Sequence, residues 1–323
     1  MFVYSCTHIY ADTINDPAKL AATVAQDLAR HNTRFEDHDS IILSFLAEGH
    51  DDTTIAPFID YLTTQVPLEK IGVLFNATVT GPLPYRYRCF EEYLCNYCDF
   101  FWQIDKFDDE WPALQLDKKF LCLNRRSSDI RTELVYTLLD RLHPESMRAS
   151  LDSINAINSR TAIFIDGSVD INQQHTNVGL PFRSCLFNII AESSDQSSPG
   201  VWKKVFITEK TYKAFAFRHV PLWMAVPGLV ARVRNLGFDL FDDLCDNHSY
   251  DDIQDETERL HRVVDIAVKL DQQFSLDDCQ QLKQDLAPRL NYNYNLLRNL
   301  VNKLDQTREQ HFNNLVNPNV HRV

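Results

Sequence analysis

Five stretches of this chain are apolar almost from end to end: SIILSFLAEG (40–49), KIGVLFNAT (70–78), KFLCLNRR (119–126), LFNIIAES (186–193) and HVPLWMAV (219–226). A strand with one wet face alternates apolar and polar residues, whereas a strand covered on both faces does not. Such runs therefore predict parallel sheets sandwiched between helices. MFVYS (1–5), YCDFFWQI (97–104) and TAIFID (161–166) read as further strands. Between the runs lie segments of helical periodicity at 18–31, 53–66, 127–142, 208–218 and 227–237. Pro57 falls in the predicted first turn of the second of these. Ser127 or Ser128 is placed to cap the third, and Gly237 to close the last.

A length of 323 residues suits about two domains of ordinary size. The charged segment 106–119, which carries Pro112, reads as the linker. The expected division is a first α/β domain over 1–112, a second over 113–253 and a polar helical extension over 254–323. The extension is a candidate for self-association or for bracing the domains. The fold class expected is α/β, with two Rossmann-like domains facing a cleft.

Composition removes several classes of function. Only 8 glycines are present, and neither GxGxxG nor GxxxxGK[ST] occurs, which argues against the common dinucleotide and P-loop sites. A formal charge of −13 argues against nucleic acid as partner, because neutralising phosphates dominates that binding. No window has the ~18 uninterrupted apolar residues of a membrane span. The first residues lack the basic and apolar regions of a signal peptide. The cysteines at 6, 89, 95, 98, 122, 185, 245 and 279 are scattered, several within apolar runs, as expected of reduced thiols in the cytoplasm. Cys95 and Cys98 form a CxxC with Cys89 upstream. A structural zinc site usually needs four ligands and no second pair follows, so these read as incidental thiols.

Open parallel sheets bind ligands beyond the carboxyl ends of their strands. The polar residues that end the apolar runs are accordingly the first candidates: Asn124, Arg125 and Arg126, then Glu192 and Ser193, then Thr208, Glu209 and Lys210. Thr208 fits a helix N-cap, which leaves Lys210 in the first turn. A lysine there meets the positive end of the helix dipole, an arrangement that makes sense if an anion sits at that end. The alternative is a solvated first turn carrying a modest penalty. Arg131, one turn into the preceding predicted helix, would reach the same anion from another wall.

Three segments, FLCLNRRSSDIRTELVYTLL, LFNIIAES and FITEKTYKAFAFRHVPLWMAVPG, resemble in order and spacing the donor-binding half of the α-1,3-fucosyltransferase family. The stretch NLGFDLFDDLCDNHSYDDI (235–253) is similar to one in bacterial and viral glycosyltransferase-like proteins. The resemblance covers about residues 119–253. It implies a GT-B architecture and an inverting, metal-independent transfer of a sugar, fucose among the candidates, to a hydroxyl acceptor such as a glycan. The donor would be a nucleotide-diphosphate sugar, with no cofactor and no metal. Its cytoplasm would be that of a bacterial or virus-infected host cell. Asn124 and Arg125 would close the donor strand, and Thr208 would open the donor helix. Arg131 and Lys210 would bind the pyrophosphate, with Lys213 adding charge. Glu209 would take the ribose hydroxyls, and Glu192 would face the sugar and its oxocarbenium-like transition state.

Two departures leave the sugar and the base open: the family's Glu-Asn is Glu192-Ser193 here, and the loop to Thr208 is longer. Inversion also needs a general base for the acceptor hydroxyl. Glu48, at the carboxyl end of IILSFLA, is the first choice, with His50 and Asp51 as rivals in the same loop. The DxD of Asp37, His38 and Asp39 precedes a strand rather than following one, and reads as a solvated turn. Tyr85-Arg86-Tyr87-Arg88 reads either as a sugar-stacking loop or as an exposed strand. Two other functions stay open: a catalytically inactive nucleotide-sugar-binding or interaction protein, and a transferase acting on modified nucleic-acid bases.

Overall fold

The computed structural model describes residues 2–6, 13, 16–45, 52–75, 86–89, 111–124, 128–151, 180–192 and 205–316. Among the described residues the chain is mixed α/β with two four-stranded parallel sheets, an arrangement compatible with a Rossmann-like fold. It divides into two compact units. The first comprises Met1–Leu94, Ser197–Phe206 and Val301–Val323; the second comprises Cys95–Gln196 and Ile207–Leu300. No helix among the described residues is long and apolar enough to cross a membrane.

In the first unit, β1 (Phe2–Ser5), β2 (Ile41–Phe45), β3 (Ile71–Phe75) and β4 (Arg86–Cys89) lie side by side in chain order. All three pairings are parallel, through Phe2↔Ile41, Ile41↔Ile71 and Gly72↔Arg86. Right-handed crossovers that always step the same way put their helices on one face. In agreement, α1 (Pro17–Arg30) packs against α2 (Asp52–Thr63). Asp16 caps α1, accepting the N–H groups of Ala18 and Lys19 at 3.0 and 3.1 Å, and Pro17 follows where its missing N–H costs nothing. Tyr4, Phe35, Phe45 and Phe58 interlock in the core with edge-on ring contacts of 5.7–6.1 Å. The Tyr4 hydroxyl donates to Asp27 Oδ2 at 2.7 Å, tying β1 to α1.

One expectation is corrected here, and one pair of alternatives is decided. Pro57 lies in the interior of α2, not in its first turn. The fourth strand is Arg86–Cys89, so the Tyr-Arg repeat is an edge strand, and Tyr87 packs half-buried against the core. The segments 97–104 and 161–166, predicted as strands, lie outside the described residues. The turn at 37–39 is as read: Asp37 closes a short 3-10 turn by accepting the Arg34 N–H at 3.1 Å, and the His38 ring stacks on Phe2 at 4.8 Å.

The second sheet holds β5 (Phe120–Asn124), β6 (Met147–Leu151), β7 (Phe187–Ala191) and β8 (Val220–Met224) in the order β6-β5-β7-β8. From β5 the chain moves outward through α3 (Asp129–Arg141) to β6. It then returns to the other side of β5 for β7. The direction of winding thus reverses between β5 and β7. Their ladder pairing covers only Phe120↔Phe187 and Leu121↔Asn188, whereas β7 and β8 pair from Phe187↔Val220 to Ala191↔Met224. A short helix, α4 (Leu180–Arg183), precedes β7, and α5 (Glu209–Ala216) joins the segment after β7 to β8. Beyond β8, Gly228 at φ 86° opens α6 (Leu229–Asn235), and Gly237 at φ 96° follows its end, where a left-handed conformation favours glycine.

Further on come α7 (His248–Asp251), α8 (Glu256–Gln273), α9 (Leu276–Asp285) and α10 (Ala287–Val316). The chain from Glu256 to Leu300 belongs to the second unit, where α8 packs against α3 and β8. The apolar face of α8 is therefore used within its own unit. The carboxyl part of the expected linker is also anchored there. Trp111 and Leu116 are buried, Lys283 Nζ donates to the Trp111 and Leu114 carbonyls at 2.8 and 2.7 Å, and Gln280 Oε1 accepts from the Leu116 N–H at 2.8 Å.

His219, at the entrance to β8, is buried with Nε2 2.6 Å from the Phe182 carbonyl and Nδ1 3.2 Å from Asn188 Nδ2. Those partners suit a neutral ring that donates from Nε2 and accepts at Nδ1. Burial, reinforced by the Lys283 charge and opposed by the Phe182 carbonyl, pushes the ring down to about 4. An unfolded histidine titrates near ~6.5, so between these values the unfolded chain binds more protons and stability falls as pH falls. The loss attributable to His219 is roughly 3 kcal/mol between pH 6.5 and 4. Urea unfolding across pH 7 to 4 should show a shallower decline for His219→Gln than for the wild type. Parallel declines would contradict this account.

Candidate functional site

The reversal of winding between β5 and β7 marks the place where open α/β sheets bind ligands. Four of the sequence-derived candidates meet at the carboxyl ends of these strands. Glu192 follows β7 directly, held by its N–H to the Met224 carbonyl of β8 at 3.0 Å. Arg131 projects from the first turn of α3, whose N-cap Ser128 accepts the Arg131 N–H at 3.4 Å. Its Nη2 donates to the Glu192 main-chain oxygen at 3.1 Å. Thr208 is the N-cap of α5, its hydroxyl oxygen accepting the Lys210 N–H at 3.3 Å.

The Glu192 side chain is 0 % exposed, and its position differs from the sugar-facing one expected from the sequence. Oε1 accepts the Thr208 N–H at 3.2 Å and the Thr211 hydroxyl at 2.5 Å, and Oε2 accepts the Thr208 hydroxyl. Lys210 Nζ lies 3.8 Å from Oε2 and 3.4 Å from Thr208 Oγ1. Thr211 in turn accepts the indole N–H of Trp223 at 3.0 Å, linking the carboxylate to β8. The carboxylate therefore sits at the N-terminus of α5 as that helix's own anion. It also accounts for the lysine in the first turn. An anion does stand at the positive end of the helix, and the protein itself supplies it.

The other candidates divide clearly. Asn124 is buried at the end of β5 with Nδ2 3.6 Å from Cys122 Sγ, turned back along its own strand. Glu209 and Lys213 are half-buried in the first and second turns of α5. Glu48, His50, Asp51, Arg125 and the Cys95/Cys98 pair lie outside the described residues. A surface groove of about 510 Å³ in the first unit runs along Leu28, Ala29, Thr33 and Asp37 and contains none of the candidate donor residues.

Thr211 and Trp223 belong to the site and were not singled out by sequence. The visible signal was a second threonine one turn after the cap, in Thr-Glu-Lys-Thr. A capping box places its acid three residues after the cap. Here a threonine stands at that position, and the acid arrives from a neighbouring strand.

No family model, curated protein or solved structure matches the chain. The chemistry of the site accordingly rests on its own groups. Among the described residues these are two cations from different elements, an N-terminal helix turn and a buried carboxylate between them.

Thr211→Val keeps the shape of the side chain but leaves the Trp223 N–H without its acceptor and Glu192 short of a donor. A buried polar group left unsatisfied costs about 1–3 kcal/mol. Chemical denaturation should show a loss of that size for Thr211→Val and a smaller one for Thr211→Ser, which retains the hydroxyl. Equal stability of the valine variant and the wild type would refute this assignment.

Proposed function

We propose that the second unit binds a nucleoside-diphosphate sugar, and that the chain is an inverting, metal-independent glycosyltransferase of GT-B architecture. The observation that carries the reading is the convergence of Arg131 and Lys210 on Glu192 at the switch point of a parallel sheet. A diphosphate there would meet a guanidinium fork, an ammonium group and the positive end of α5. These groups suit the chemistry of transfer. Negative charge grows on the departing diphosphate as the glycosidic bond breaks, and fixed cations stabilise it more in the transition state than in the ground state. Glu209 would take the ribose hydroxyls, and Lys213, one turn past Lys210, would add positive charge. The resemblance of 119–253 to α-1,3-fucosyltransferases supplies the reaction class. The acceptor hydroxyl, on a glycan, would lose its proton to Glu48 or to its neighbours His50 and Asp51.

A second reading is favoured by one observation. Both Glu192 oxygens are engaged by Thr208 and Thr211, so this carboxylate is not presented to a sugar. A protein that binds the nucleotide sugar without transferring the sugar would have the same cradle. Hydrolysis of the bound donor separates the two, since a transferase cleaves the glycosyl bond slowly even without acceptor. Loss of that cleavage in Glu48→Gln with retained binding would assign the base.

The test is a thermal-shift panel of GDP, UDP, CDP and ADP with their sugars. At least one should raise the melting temperature of the wild type. Arg131→Ala and Lys210→Ala should each weaken that ligand about 10- to 100-fold, as expected for a lost charge-assisted bond. The absence of any stabilising nucleotide would refute the reading.

A further inference from the structure

Arg131 and Lys210 come from different helices, yet both are fixed to one residue. Arg131 reaches the Glu192 carbonyl at 3.1 Å, and Lys210 stands 3.8 Å from the Glu192 carboxylate. The carboxylate is fully buried, and its oxygens are otherwise filled by Thr208 and Thr211. Lys210 differs from those partners in two ways. Its side chain is 25 % exposed, and its separation from the carboxylate is longer than a hydrogen bond. The threonine bonds are internal hydrogen bonds, whereas the lysine contact is electrostatic and reaches the surface. A ligand phosphate arriving at the helix end would compete with the lysine contact and leave the threonine bonds in place.

We infer that Glu192 is a positioning residue that acts as a place-holding anion: it holds Lys210 inward in the ligand-free protein and yields it to a ligand diphosphate. This inference rests on the diphosphate-binding reading above. It gives Glu192 two separate tasks. Through its carbonyl and its threonine bonds it sets the spacing between α3 and α5, and hence between the two cations. Through its charge it keeps Lys210 folded inward until an anion of higher charge competes. The second task has a cost for binding, because the lysine must leave one anion to meet another. Removing only the charge should therefore tighten binding, opposite to the effect expected of a sugar-contacting catalytic carboxylate.

The variant that isolates the charge is Glu192→Gln, in which the amide oxygen still accepts from Thr208 and Thr211 and the amide NH2 meets the Thr208 hydroxyl oxygen. Calorimetric titration with inorganic pyrophosphate should give about 3- to 10-fold tighter binding for Glu192→Gln than for the wild type, the range of a partly exposed ion pair. In a Lys210→Ala background the same substitution should lose most of that gain, since the effect acts through Lys210. Unchanged or weaker binding by folded Glu192→Gln, or an equal gain with and without Lys210, would overturn the inference while leaving the diphosphate site standing. Failure of the wild type and Glu192→Gln alike to bind pyrophosphate would overturn both. Should Glu192→Gln not fold, Lys210→Ala alone decides. Its ligand-free form should be less stable than the wild type in low salt, and the difference should shrink in high salt, which screens the part-exposed lysine charge. A difference that is absent in low salt, or constant with salt, would overturn the inference.

Discussion

One buried carboxylate organises the carboxyl end of the second sheet. Glu192 leaves β7 with its backbone bonded to β8, accepts Arg131 of α3 on its carbonyl, and fills the N-terminus of α5 with its side chain. Four elements are thus referred to a single residue. A charge buried to this degree persists only when hydrogen-bonded and paired. Thr208, Thr211 and Lys210 meet that requirement, and the need to satisfy them fixes where α5 begins. The indole of Trp223 extends the chain of bonds into the strand that follows.

Topology explains why this residue stands where it does. Winding reverses between β5 and β7, so their crossovers depart in opposite directions from the carboxyl end of the sheet. Ladder pairing between these strands is confined to their first two residues. Polar groups at the strand ends must then be satisfied by side chains from the flanking segments, and Glu192, Arg131 and Thr208 serve each other in that way. On the diphosphate reading proposed above, a ligand would meet Arg131 and the first turn of α5 already held in place by internal bonds.

Much of this was legible in the sequence, and the parts that were not have physical reasons. The interior strands β2, β3, β5 and β7 are apolar on both faces and stand out as continuous runs. The strand overlooked, β6 in Met147–Leu151, and the one left ambiguous, β4 in Arg86–Cys89, are edges of their sheets. In β6 the buried Met147, Ala149 and Leu151 alternate with the half-buried Arg148 and with Ser150, a period that five residues show only weakly. The caps Ser128 and Thr208 were readable because a cap and its helix are local in sequence. The role of Glu192 was not, since its partners lie 16 and 19 residues downstream and 61 residues upstream. The first-turn lysine signalled an anion correctly, but no local window could show that the anion is internal. Trp111 shows the converse: a charged, proline-bearing stretch reads as a linker until α9, far along the chain, supplies Lys283 to its carbonyls.

The central claim is that a nucleoside diphosphate sits at the carboxyl ends of β5 and β7, against the first turns of α3 and α5. Amide hydrogen exchange with and without the nucleotide that most raises the melting temperature tests it directly. The account predicts slowed exchange confined to the amides around 129–131, 192 and 209–211. Protection that appears only elsewhere, for instance along the groove beside Leu28 and Thr33, would contradict it, as would no protection at all.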